Sequence, residues 1–201
     1  MILADQLKSY QIVLVSQSPR RRELLKGLEL TFEATSVDAD ESYPAHLQGA
    51  EVPCYITKAK AAAYLPYIKE NTLAITADTV VSINGTILGK PNNKQEATDM
   101  LHTLSGNKHE VITAVCLFTQ QKQHLFYAVS EVYFKPLSDK EIEHYIDTYQ
   151  PYDKAGSYGV QEWIGYIGIE KIVGSYYNVM GLPIQRLYQE LTQFIQEDEK
   201  I

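Results

Sequence analysis

Ser16 to Arg22, SQSPRRR, sets two serine hydroxyls, a proline and three consecutive arginines between an apolar run and a leucine-bearing segment. The chemistry open to such a string is capture of a phosphate-like anion. Ile12 to Val15 is β-branched and apolar and reads as a buried strand. Leu24, Leu25 and Leu28 share one face of an amphipathic helix. Ser18 then falls at the N-cap and Pro19 at the first helical position, where both are favoured. Arg20, Arg21 and Arg22 do not suit that place, because a helix N-terminus carries partial positive charge and attracts acids. An anion resolves the conflict, since a strand–turn–helix with open N–H groups, hydroxyls and guanidiniums is built to receive one. The plainer alternative is that the arginines spread into solvent.

Further along, Asp78-Thr79 interrupts the apolar run Leu73 to Val81. A carboxylate there is costly unless it is paired, binds metal or sits at the open end of a strand. In open α/β sheets ligands gather at the carboxyl ends of strands. Asp78 is therefore a catalytic acid–base group, a turn aspartate or one half of a buried ion pair. Lys90 lies between Gly89 and Pro91, a constrained loop suited to a point charge on phosphate, although turn lysines are also ordinary surface residues. Lys58 and Lys60 are two positions apart on a helix and cannot share a face; Lys58 is the one expected to face the anion. Asp38, Asp40 and Glu41 offer hard oxygen ligands for a divalent cation, or a solvated loop. Asp153, Lys154 and Gln161 bracket a glycine turn. The five histidines, at 46, 102, 109, 124 and 144, show no metal-ligand spacing and read as structural or surface residues.

The elements that would hold these groups alternate along the chain. Strands are expected at 31–37, 73–83, 110–119, 124–134 and 164–169, and helices at 52–64, 92–104 and 184–195. Asn84-Gly85 marks a tight hairpin into Thr86 to Leu88. Ser138 with Glu141 forms a capping box for a helix through Thr148. The charged tail beyond Ile195 is expected to fray. Strands followed by helices, with long hairpins between, point to an α/β protein with a mixed sheet.

The chain has 201 residues, 45% hydrophobic and 21% charged, and a net charge of −7. That suits one soluble globular domain, spanning 1–201, or two closely packed lobes. An acidic chain is a poor general ligand for nucleic acid, so its clustered cations point to a local anion site. Cys54 and Cys116 show no metal or disulfide pattern and read as reduced thiols. Without a secretory leader or an apolar membrane span, a cytoplasmic location away from membranes is expected.

Taken in order, VSQSPRRREL, ADTVV, GKP, LSGNKHEVITAV, DKAGSYGVQ and GSYYNVMGLP resemble the Maf-like nucleotide pyrophosphatases over nearly the whole chain. The resemblance implies an α/β fold with an elongated mixed sheet, flanking helices and two lobes around a central cleft. It implies hydrolysis of a nucleoside triphosphate to the monophosphate and pyrophosphate, with Mg²⁺, Mn²⁺ or Co²⁺, often by a homodimer. Carried over by motif, Asp78 is the proton acceptor. Arg20, Thr79 and Gln161 govern substrate use. Ser16, Arg21, Lys58 and Lys90 line the phosphates, and Glu41 is the acidic residue expected at the metal. The Gln161 amide offers a donor and an acceptor, matching O4 and N3–H of uracil or thymine. It places the chain with the dTTP/UTP type, apart from the subgroup similar to it that carries Glu there and prefers 7-methyl-GTP. The dTTP/UTP subgroup usually has Gly after this Gln, whereas Glu162 and Trp163 follow here. Two other functions compete: a non-catalytic nucleotide-binding regulator of cell division, and an inosine or xanthosine triphosphate pyrophosphatase.

Overall fold

A computed structural model describes residues 2–198; the remainder of the tail expected to fray lies outside the described residues. A short helix α1 (Leu3–Gln6) precedes β1 (Gln11–Val15), α2 (Pro19–Lys26) and β2 (Phe32–Thr35). Then come α3 (Glu51–Tyr64), β3 (Thr72–Ile83), β4 (Thr86–Leu88) and α4 (Lys94–Leu104). The long strands β5 (Lys108–Phe118) and β6 (Gln123–Phe134) lead to α5 (Asp139–Tyr149) and α6 (Trp163–Gly168). The chain ends with β7 (Ile169–Val173), α7 (Tyr176–Met180) and α8 (Ile184–Asp198).

The strands form a seven-stranded mixed sheet in the order β2-β1-β3-β5-β6-β7, with β4 paired to β3. β1 runs parallel to both β2 and β3, while the β3–β4 and β6–β7 pairs are antiparallel. Ile12 to Val15 are buried in succession, as expected of a parallel strand covered on both faces.

Local sequence explains most element ends. Ser18 Oγ accepts from Arg21 N, with Pro19 opening α2. Ser138 and Glu141 complete the expected capping box of α5. Asn84 and Gly85 both have positive φ, 51° and 80°, which gives the two-residue turn its twist.

One expected strand is corrected. Residues 164–168 belong to α6, and β7 begins only at Ile169. Short apolar runs carry no period that separates strand from buried helix. Here the Glu162 carbonyl accepts from Gly165 N and Tyr166 N, and these bonds wind the turn.

The chain divides into two compact units. The first comprises residues up to Asp78, Thr113–Ala128 and the chain from Gly181 onward. Val13, Val15, Ala61, Ala74, Cys116 and Phe118 form a core within it. The second comprises Thr79–Ile112 and Val129–Met180. Its core gathers Val81, Leu101, Leu104, Val132, Phe134, Tyr145 and Ile164.

Candidate active site

In the first unit the arginine string divides by direction. Arg22 is exposed, whereas Arg21 turns inward. Arg21 Nε donates to the Gly181 carbonyl at 2.8 Å, and its Nη1 donates to the Ala77 carbonyl at 2.9 Å. Ser16, at the carboxyl end of β1 and 7% exposed, accepts from Ser18 N at 3.2 Å. Arg21 is thus strapped to the strand residue before Asp78. Burial draws its guanidinium below the usual arginine range, and the Asp78 carboxylate acts against that fall. Arg20 is half-buried in the same first turn, which carries no acidic residue. The N-terminus of α2 therefore presents net positive charge beside Asp78.

Asp78 lies inside the 12-residue strand β3 rather than at its end, and of the options open from sequence it is the paired one. It is nonetheless past the reach of β1, whose last pairing with β3 is Leu14 with Ile75, and before β4, whose pairing begins at Val81. The carboxylate therefore sits beyond the carboxyl end of a parallel neighbour, the position at which α/β sheets place reacting groups. It is 9% exposed, and its Oδ1 accepts from Lys60 Nζ at 2.8 Å. The same ammonium meets Glu41 Oε1 at 2.9 Å. Two carboxylates from distant segments thus share one cation.

Lys60, not Lys58, brings α3 to Asp78, a pairing that sequence reasoning did not single out; Lys58 is exposed. A signal was present. Ile56 and Thr57 are buried on α3, and Lys60 follows them by one turn on the same face, whereas Lys58 does not.

The second unit holds the remaining residues singled out from sequence. Thr79 is half-buried and Lys90 exposed. The Gly89 carbonyl accepts from Gly156 N at 3.0 Å, so the loop bearing Lys90 is tied to the turn that precedes Gln161. That turn is tightly wound, with Gly156 and Ser157 both at positive φ, 68° and 63°. A Cβ on Gly156 would lie 2.9 Å from Val81 Cγ2, so glycine is required on both counts. The amide oxygen of Gln161 is buried and has no hydrogen-bond partner, as is the Ser157 hydroxyl. A buried acceptor left unpaired costs stability, and a ligand that donates to it recovers that cost. Among the described residues no group of three or more His, Cys, Asp or Glu side chains is placed to hold a metal. Glu41 and Asp78 alone would leave a divalent cation to complete its oxygen shell with phosphate and water, which suits Mg²⁺-type binding.

Residues 11–194 match the family model described as Maf-like protein. A dTTP/UTP pyrophosphatase of Parabacteroides distasonis is 54% identical over 193 residues, covering 96% of this chain and 100% of that protein. One of Bacteroides fragilis is 56% identical over 188 residues, 93% of this chain and 97% of its own. One of Flavobacterium johnsoniae is 44% identical over 194 residues, 96% of this chain and 100% of its own. A carboxylate held on a lysine between strand pairings, beside an arginine-bearing helix start, therefore lies within a sequence match that covers nearly every described residue. The chain belongs to the Maf-like protein family.

Proposed function

We propose that this protein hydrolyses dTTP and UTP between the α- and β-phosphates, releasing the nucleoside monophosphate and pyrophosphate. The observation that carries the reading is the buried, unpartnered amide oxygen of Gln161. It is an acceptor suited to N3–H of uracil or thymine, while the amide NH₂ can donate to O4. Relatives named dTTP/UTP pyrophosphatase at 54% and 56% identity support it.

In this reading Arg20, the α2 N-terminus, Ser16, Lys58 and Lys90 contact phosphate oxygens, with Thr79 next to the base that acts on water. Arg21 holds Ala77 in place and adds positive charge beside Asp78. Asp78 orients and deprotonates a water for in-line attack on the α-phosphorus. Lys60, 2.8 Å from Oδ1, holds that carboxylate in place until substrate arrives. Glu41, which meets the same ammonium, is the residue that would hold a divalent cation, Mg²⁺, Mn²⁺ or Co²⁺; such an ion supplies charge neutralisation for the departing pyrophosphate. A homodimer and a cytoplasmic location belong to the same reading. No helix among the described residues is long and apolar enough to cross a membrane.

Steady-state hydrolysis of a nucleoside triphosphate panel, with and without each metal, tests the proposal. dTTP and UTP should be cleaved well above GTP, 7-methyl-GTP, ITP and XTP. Preference for ITP or XTP would move the protein to the inosine/xanthosine class, and binding without pyrophosphate release would make it a regulator.

A further inference from the structure

Glu162 stands directly after Gln161, and its carboxylate is half-enclosed and fully engaged. Oε2 accepts a short hydrogen bond from the Tyr145 hydroxyl of α5. Oε1 meets Lys154 Nζ at 3.1 Å. Lys154 is only 8% exposed, and Tyr145 is completely buried. The Tyr145 hydroxyl also accepts from Gly159 N at 3.0 Å. Glu162 N in turn donates to the Gly159 carbonyl at 3.0 Å. These bonds close a ring, running from the Glu162 carboxylate through Tyr145 to Gly159 and back along the backbone to Glu162. Val160 and Gln161 are the residues inside it.

The ring has no slack. A Cβ on Gly159 would lie 2.7 Å from the Glu162 carboxyl carbon, so the glycine backbone rests against that side chain. Burial and the neighbouring Glu162 carboxylate both push the Tyr145 hydroxyl above its usual range, which keeps it protonated as the donor the ring needs. The Glu162 charge also joins Asp153, 2.7 Å from the same nitrogen, in balancing the buried Lys154 ammonium. The bonds of Glu162 through Tyr145 and to Gly159 therefore fix the stretch that carries the unpartnered Gln161 amide.

We infer that Glu162 is a positioning residue for base selection: through Tyr145 and Lys154 it locks the backbone that aims Gln161. The inference rests on Gln161 being the reader of the pyrimidine, as proposed above. Its consequence is that selectivity depends on a side chain that need not touch the nucleotide.

Trp163 is the only tryptophan of the chain and adjoins Glu162, so its fluorescence reports nucleotide binding at this loop independently of hydrolysis. The experiment titrates dTTP and GTP into the full-length protein without metal, then measures KM and kcat for both with metal. The variants are Glu162→Gly, Glu162→Gln and Tyr145→Phe. Loss of a charged hydrogen bond of this kind is worth about tenfold or more. Glu162→Gly is expected to weaken dTTP binding and raise its KM by about tenfold, and to shrink the dTTP-over-GTP preference by a similar factor, with kcat changed far less. Tyr145→Phe should reproduce the loss of preference. Glu162→Gln, which keeps an acceptor for Tyr145 but not the charge on Lys154, should recover part of it. Should Glu162→Gly misfold, the other two variants carry the same test. An unchanged dTTP-over-GTP preference in folded Tyr145→Phe and Glu162→Gln would overturn the inference. Pyrimidine-selective binding by wild-type protein that hydrolyses nothing would remove the catalytic reading and leave this one standing.

Discussion

At the scale of single residues, the site separates groups that act on bonds from groups that hold others in place. In the proposed reaction Asp78 takes the proton. Asp78→Asn keeps shape and removes the base, so kcat for dTTP should fall by about 10²–10⁴-fold with little change in thermal midpoint. Single-turnover rates at saturating dTTP check it, and a wild-type rate would exclude Asp78 as base. The two lysines of α3 should separate in kind. Lys60 meets Asp78 and Glu41, so Lys60→Met leaves two carboxylates to repel each other and should lower kcat by at least about tenfold. Lys58 is exposed and, as a phosphate contact, should change KM when replaced by Met while leaving kcat close to wild type. Equal kcat losses in both would show that the pairing with Asp78 confers nothing special. This is also where sequence reasoning reached its limit. The types Lys, Asp and Glu were legible, but which ammonium reached the acid depended on the roll of α3, which Ile56 and Thr57 set by burial.

At the scale of elements, hydrogen-bonded ends were readable and apolar interiors were not. The Ser138–Glu141 box and the Asn84-Gly85 turn each write their geometry in side-chain chemistry. Trp163 to Gly168 carries no such mark, and its apolar residues suit a strand as well as a buried helix turn. Once α6 is wound, Gly165 lies tight against the preceding backbone, where an added Cβ would come within 2.0 Å of the Val160 carbonyl oxygen. Backbone cannot yield as a flexible side chain can. Gly165→Ala should therefore displace the Val160–Gln161 segment, lower stability by about 2–4 kcal/mol and abolish pyrimidine preference. Gly85→Ala makes a useful contrast. Its φ is also positive, at 80°, but nothing lies within 4 Å of an added Cβ. It should cost only about 1 kcal/mol and leave preference intact, as urea titration and the dTTP/GTP ratio would show.

Across the whole molecule, the alternation of strand and helix sets the α/β class from the sequence, and the net charge of −7 sets the sign of its surface field. They left the response to mild acid hidden, because much of it rests on a buried histidine. His109 is 1% exposed, stacks on Phe134 and shares a 2.8 Å hydrogen bond between its Nε2 and the Tyr158 hydroxyl. Its Nδ1 is buried without a partner, so protonation there would place a charge with nothing to receive it. Burial lowers its pKa from 6.5 to about 4. The unfolded chain therefore takes up this proton below about pH 6.5 while the folded chain resists it until about pH 4. Over that window the unfolded state binds more protons, so stability falls as pH falls, by up to about 3 kcal/mol. Glu141 acts in the same direction at lower pH, because Lys135 and the Ser138 cap hold its carboxyl down at about 2 against an ordinary 4.5. The two contributions can be told apart. Urea midpoints measured from pH 8 to pH 3 should begin to fall near pH 6.5 in the wild type. In His109→Gln, which cannot gain a charge, midpoints should stay level until the carboxylates titrate below about pH 5. Parallel curves for the two proteins between pH 6.5 and pH 5 would mean that His109 is protonated inside the fold, and that Tyr158 accepts its hydrogen bond rather than donating one.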